Sequence, residues 1–151
     1  MEQGEYLQGR GAQIKPANRF LKQSFVTEHI EGIDALSLEN PLTQVFEETP
    51  RKIINPVYSP DLGMAYSMNP YQGCEHGCIY CYARNTHEYY GFSAGLDFET
   101  RIIAKSNAAI ILEKQIQNSS WSVSPIMLSG NTDCYQPLER KMGLTRKMLA
   151  V

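Results

Sequence analysis

Three of the four cysteines, Cys74, Cys78 and Cys81, fall in one short segment, Cys74-Glu-His-Gly-Cys78-Ile-Tyr-Cys81, and the fourth, Cys134, stands far from them. A disulfide framework spreads its cysteines to staple distant loops and belongs to oxidising compartments. A tight C-x3-C-x2-C triplet on a loop instead lets three thiolates converge on one soft-metal centre. A [4Fe–4S] cluster has four irons and normally takes four cysteines. Three leave one iron without a protein thiolate, free to chelate a small ligand, as catalytic zinc keeps a position for water. Gly77 gives the backbone room to wrap a bulky cluster. Tyr80, next to the last cysteine, offers an aromatic face to a purine ring. The alternative for the same residues is structural zinc, with His76, His87 or Cys134 as a fourth ligand.

The elements that must position this triplet begin at about residue 61. Residues 1–60 read as an N-terminal extension packed on a core. They open on the flexible Gly9-Arg10-Gly11-Ala12, with a short helix expected over Asn18 to Thr27 (Phe20, Leu21 and Phe25 apolar). Breaks follow at Asn40-Pro41 and Thr49-Pro50, then a short strand over Lys52 to Asn55. Residues 61–151 read as alternating strands and helices. A strand is expected over Met64–Met68, a short helix over Tyr82–Tyr90 ended by Gly91, and a loop over Phe92–Thr100. A buried strand is expected at Arg101–Lys105. Ser106 would cap a helix over Asn107–Gln117, whose Ala108, Ile111, Leu112 and Ile116 share one face. Ile126-Met127-Leu128 reads as a parallel strand buried on both faces, followed by a polar loop over Ser129–Pro137 and a single helix from Leu138 to Val151.

That alternation predicts parallel pairing with right-handed crossovers. Ligands in such folds sit at the carboxyl ends of strands, so the cysteine loop and the Asn131–Tyr135 loop are expected on the same side. About three strands cannot close a barrel, which needs about eight. The last strand would leave an open apolar edge. The expected architecture is therefore the N-terminal portion of a larger α/β fold, with a small complete α/β domain as the alternative.

Bulk composition adds bounds. The 151 residues are 42% hydrophobic and 20% charged, with a formal net charge of −2. That is ordinary globular composition for about one domain, and it gives no general basic field to steer the chain onto nucleic acid. No apolar run approaches the roughly 20 residues that span a bilayer. The first residues lack a basic segment followed by an apolar one, so a cytoplasmic protein without membrane association is expected.

Beyond this the sequence resembles a known family. The triplet with an aromatic residue before its last cysteine resembles the radical S-adenosylmethionine superfamily. SMNPYQGCEHGCIYCYAR (Ser67–Arg84), GLDFET (Gly95–Thr100), NTDCYQPLERKMGLTR (Asn131–Arg146) and GRGAQIKPANRF (Gly9–Phe20) resemble its uncharacterised bacterial and archaeal branch related to spore photoproduct lyase, often labelled DNA-repair-photolyase-like. The resemblance implies a partial (β/α) TIM-like barrel, truncated after its first few βα units. Residues 61–151 would be an incomplete N-terminal part of the radical core. It implies a [4Fe–4S] cluster on Cys74, Cys78 and Cys81, with S-adenosylmethionine chelated at the open iron. Tyr80 would contact the adenine. A Gly-Gly-Glu-like segment of the superfamily is replaced here by Gly130-Asn131-Thr132-Asp133, so the amino group of S-adenosylmethionine is carried to Thr132 and Asp133, beside Asn131. An ammonium group wants such acceptors. The implied reaction is one-electron cleavage to methionine and a 5′-deoxyadenosyl radical that abstracts hydrogen from a substrate. The electron would come from a donor such as a flavodoxin or ferredoxin. The relatives' label alone points to nucleic acid as the substrate. An inactive fragment, or a non-catalytic metal-binding module, is the other outcome.

Several other residues invite a function and have a plainer structural reading. His76 reads as a hydrogen-bonding loop residue and His87 as a packing or surface histidine. Cys134 follows the Thr-Asp pair, where the lyase family's hydrogen-donating cysteine does not lie, and reads as a buried thiol. Tyr71, Tyr89, Tyr90 and Tyr135 could form a substrate platform or pack in the core. Asp97 and Glu99 could cap, or pair with Arg84 or Arg101. Arg140 and Arg146 could meet a carboxylate or phosphate, or lie on a solvated helix face.

Overall fold

The computed structural model describes residues 6–22 and 42–151. Its strands form two three-stranded mixed sheets. In the first, β1 (Gln44–Glu48) runs parallel to β5 (Arg101–Lys105), with Gln44 opposite Arg101 and Glu48 opposite Lys105. The other edge of β5 is taken by β4 (Tyr71–Gln72), antiparallel to it. In the second sheet β3 (Tyr66–Met68) lies between β2 (Asn55–Pro56), antiparallel, and β6 (Ile126–Leu128), parallel.

This corrects the expected partial barrel. A barrel series would place β5 beside β3 or β6 in one parallel sheet. Both edges of β5 are instead filled, on one side by β1, a strand that no alternation in its sequence predicts, and on the other by two residues just past the Asn69-Pro70 corner. Proline at that corner has no N–H to extend the β3 ladder. Its carbonyl accepts the Lys105 N–H at 3.0 Å, so the chain leaves one sheet and enters the other there. Each sheet takes one strand from before residue 60.

The helices follow the expected order with shifted ends. Tyr82–Tyr90 is a 3-10 helix, closed by Gly91 at φ +80° with its N–H on the Glu88 carbonyl. The expected loop over 92–100 contains α1 (Leu96–Thr100), because the buried Asp97 carboxylate accepts the Ser93 N–H at 2.9 Å and fixes the preceding turn. α2 (Ala108–Ile116) starts after Asn107 rather than on a Ser106 cap, and buries Ala108 and Leu112 with Ile111 and Ile116 half-covered. The expected last helix is two: α3 (Glu139–Met142) and α4 (Leu144–Leu149), parted by Gly143 in the left-handed region at φ +60°. The freed N–H groups of Thr145 and Arg146 at the start of α4 donate to the Glu139 carboxylate, each at 3.1 Å. β6 is half-buried, not covered on both faces. The strand expected over 52–55 is confined to Asn55–Pro56. Residues 18–22 of the expected first helix form a turn and bend, while Phe25, Thr27 and Asn40-Pro41 lie outside the described residues.

Two apolar clusters hold these pieces. Ile53, Ile54, Met68, Ala108, Leu112 and Met148 pack between α2, α4 and the second sheet. The Gln115 side-chain oxygen accepts the Ile53 and Ile54 N–H groups at 2.7 and 3.1 Å, so buried backbone is satisfied by a helix side chain. Tyr71, Ile102, Ala104, Leu138 and Leu144 pack beneath the first sheet. Among the described residues no helix is long and apolar enough to cross a membrane.

Candidate functional site

The cysteine loop leaves β4 at Gly73, whose φ of +82° and crowded surroundings (Phe98 carbonyl oxygen at 3.0 Å from a would-be Cβ) favour glycine. Cys74 N–H donates to that same Phe98 carbonyl at 2.9 Å, and Cys81 N–H to the Cys78 carbonyl at 3.2 Å. The loop between them is clamped from outside. Arg84 donates to the Cys78 carbonyl at 2.9 Å and pairs with the Glu99 carboxylate at 2.6 Å. Glu99 is fully buried, and its carboxylate also accepts the N–H groups of Gly11 (3.1 Å) and Ala12 (2.8 Å). Arg10 donates to the Glu99 carbonyl at 3.1 Å. A side chain at position 11 has no space: its Cβ would stand 1.8 Å from the Gly77 carbonyl oxygen. The Gly9–Ala12 segment is thus a strap laid across the cysteine loop, fastened by one buried carboxylate.

The second loop of the site follows β6. Because β3 and β6 run parallel in register, Met68 opposite Leu128, the residues after each strand emerge side by side. Asn131 N–H donates to the Asn69 side-chain oxygen at 3.1 Å, and Ser129 N–H to the Met68 carbonyl at 3.0 Å. Ser129, at φ +75°, donates its hydroxyl to the Thr132 carbonyl and accepts the Cys134 N–H, closing the loop on itself. Gln136, fully buried, ties the two loops together: it donates to the Gly73 carbonyl at 3.2 Å and accepts the Glu75 N–H at 3.2 Å. The Tyr82 hydroxyl donates to the Gly130 carbonyl, and His76 Nε2 meets the Asp133 carboxylate at 3.1 Å.

Between these loops lies a cavity of about 310 Å³ bordered by Cys74, Cys78 and Cys81 on one side and Gly130, Asn131, Thr132 and Asp133 on the other. Phe98 and Ala83 supply apolar wall. All four cysteines are free thiols. Burial pushes the Cys74 thiol up, so any metal taken there displaces a proton. Among the described residues no three His, Cys, Asp or Glu side chains are drawn together for a single metal ion; the thiols border a shared space instead. Thr132 Oγ1 is buried without a hydrogen-bond partner among the described residues, though it borders the cavity. A buried hydroxyl of that kind is a vacancy for a polar ligand group. The donor set therefore fits a bulky thiolate-held cluster with a polar ligand beside it.

The structure brings six of the seven expected site residues together: Cys74, Cys78, Cys81, Asn131, Thr132 and Asp133. Tyr80 is 85% exposed and does not border the cavity. His76 is a rim hydrogen-bonding residue, while His87 is fully buried between Phe92 and Phe98, and burial lowers its pKa to about 4. Cys134 is buried off the cavity, its thiol raised by burial. Tyr71 is core, its hydroxyl donating to Glu139, whereas Tyr89 and Tyr135 are exposed and form no platform with it. Asp97 pairs with Lys15 at 2.9 Å and with Arg101 at 3.4 Å. Arg140 and Arg146 are exposed. The strap and Gln136 were not legible as site residues. Both lie in blocks that carry the resemblance, but nothing in their local sequence gives them a role until the fold sets them against the loop.

Comparison with known proteins finds relatives without assigned roles. Over 83 residues the chain is 42% identical to an uncharacterized protein of Mycobacterium tuberculosis, 55% of this chain and 24% of that protein. The same figures relate it to an uncharacterized protein of Mycobacterium bovis. It is 31% identical over 111 residues to an uncharacterized protein of Methanocaldococcus jannaschii, 73% of this chain and 39% of that protein. The chain thus spans between 24% and 39% of the length of these relatives. No family profile matches it. No solved structure matches it either.

Proposed function

We propose that this chain carries the cofactor site of a radical S-adenosylmethionine protein related to the spore photoproduct lyase branch. Cys74, Cys78 and Cys81 would hold a [4Fe–4S] cluster, with S-adenosylmethionine beside it. The observation that carries the reading is the shared cavity: the triplet and the Asn131–Asp133 loop, 50 or more residues apart in sequence, border one space. When bound, the cluster and S-adenosylmethionine supply one-electron cleavage chemistry and hydrogen-atom abstraction from a substrate.

The chain's own residues do the positioning. The three thiols give up protons and ligate. Arg84, held by Glu99, fixes the carbonyl of Cys78 and with it the span between the second and third ligands. The unpartnered Thr132 hydroxyl and the Asp133 carboxylate accept from an ammonium group, with Asn131 beside them. Phe98 and Ala83 keep water from that side of the cavity. Tyr80, exposed and outside the cavity, would meet the adenine only where that ring projects beyond the cavity rim. An electron donor such as a flavodoxin or ferredoxin belongs to this reading, and the substrate is left open.

The test is anaerobic reconstitution with iron and sulfide. The expected result is a brown protein with about four irons per chain, lost in Cys78→Ala, and S-adenosylmethionine binding weakened at least tenfold by Asp133→Ala with iron content unchanged. One zinc per chain and no iron would replace the proposal with the non-catalytic metal-module reading.

A further inference from the structure

A second concavity, about 690 Å³, is lined by Arg51, Lys52, Asn107, Lys114, Gln115 and Trp121 among others, and shares no residue with the cysteine cavity. Its three cations come from two separate segments, residues 51–52 before β2 and the outer side of α2. All three are exposed. Among the described residues no Asp or Glu borders the concavity, and no carboxylate lies within ion-pair distance of the three. On a chain of net charge −2 this is a local reversal of sign. Three like charges around one hollow repel unless an anion joins them.

The wall adds an aromatic element. Trp121 is the chain's single tryptophan. It is half-buried, one part packed on Tyr66 at 5.0 Å between ring centroids, and its remainder borders the hollow. Asn107, also on the wall, has a buried side-chain oxygen with no hydrogen-bond partner among the described residues. Cations for a phosphate and an indole for a flat ring are two recognition elements of one ligand class.

We infer that this concavity binds a nucleotide, its phosphate held by Arg51, Lys52 and Lys114 and its base set against Trp121. The shared chemistry is a phosphorylated nucleoside, free or as a unit of a single strand. Because Trp121 is unique, its fluorescence reports on this site alone. The full chain is titrated in low salt with thymidine 5′-monophosphate, an eight-residue oligothymidylate, thymidine and inorganic phosphate. The expected result is a saturable change in Trp121 emission with the mononucleotide and the oligomer, at least tenfold weaker with thymidine or phosphate alone. The charge reversals Arg51→Glu and Lys114→Glu, both at exposed positions, should each weaken it about tenfold or more while leaving the unfolding midpoint unchanged. Equal affinity for monomer and oligomer identifies the free nucleotide as the ligand, and tighter oligomer binding that weakens steeply with salt identifies the strand. No saturable change up to millimolar ligand, phosphate binding as well as the nucleotide, or charge-reversed variants that bind unchanged would each overturn the inference.

Discussion

The cysteine site and the apolar layer beneath α2 are built on opposite principles. Around the cysteines, order comes from directional polar contacts made by residues far apart in the chain: Gly11, Ala12, Arg84 and Glu99 on one loop, Asn69 and Gln136 on the other. Under α2, order comes from burial of Ile53, Ile54, Met68, Ala108, Leu112 and Met148, which is non-directional and tolerant of small shifts. The polar half leaves an open cavity of about 310 Å³ bordered by three cysteines and Thr132, which an apolar layer packed to native density does not do. The walls of this cavity are therefore held from outside, by the strap and Gln136, and not by filling its interior.

That contrast can be broken from either side. The largest effect is expected at Glu99. Glu99→Ala leaves Arg84 (14% exposed) without its carboxylate and frees the strap, at a cost of about 3–5 kcal/mol. The distinguishing readout is faster alkylation of Cys78 and Cys81 under conditions where the chain remains folded. Leu112→Ala in the apolar layer should cost about 2–5 kcal/mol by cavity formation, read by denaturant unfolding, and leave the alkylation rates of the folded chain unchanged. If both variants accelerate alkylation equally, the two regions are not independent.

Acidification sharpens the comparison. His87 is fully buried and its pKa is lowered to about 4, so below about pH 6.5 the unfolded chain binds a proton that the folded chain refuses. Stability should fall as pH drops from about 6.5 towards 4, by roughly 3 kcal/mol in all. His87→Phe should flatten that part of the profile. Asp97 contributes at lower pH: burial raises its carboxyl, but the Ser93 N–H, Lys15 and Arg101 together pull it below its usual range. Its stabilisation is present above the unfolded value and is lost as pH falls through the lowered folded value. A profile unchanged in His87→Phe would remove His87 from the account. A smaller change is expected from Gly11→Ala, about 1–3 kcal/mol, because the strap must lift to relieve the contact with Gly77. Iron uptake should fall with it, while Arg140→Ala, on an exposed face, should stay within about 0.5 kcal/mol on every measure.

Much of the site was legible because its signals are local. The cysteine spacing needs only one loop, the Ile102-Ile103-Ala104 strand announces itself by composition, and the spacing of Ala108 and Leu112 marks a helical face. The cysteine loop and the Asn131–Asp133 loop do meet, as parallel pairing predicts, and β3 and β6 pair in parallel, but the strand that leads into the cysteines is β4 in the other sheet, and it is Gln136 that ties the two loops together. What failed was the sheet arrangement. β4 has two residues and β2 has two, too few to carry a pattern, and β1 reads QVFEE with largely exposed side chains. Gly143 sat inside an apolar helical pattern, and only the cap that Glu139 gives to α4 shows why the helix divides there.

The sequence by itself determined which residue types could do chemistry and in what order the longer elements come, since both depend on neighbours within a few positions. Tertiary structure alone decided which strands share a sheet, that Glu99 fastens residues 11 and 12 over the cysteine loop, and that Tyr80 stands outside the cavity its neighbours line. Those outcomes hang on hydrogen bonds and close backbone approaches between segments up to 88 residues apart. Their geometry has no periodicity along the chain, so nothing in the local pattern encodes them.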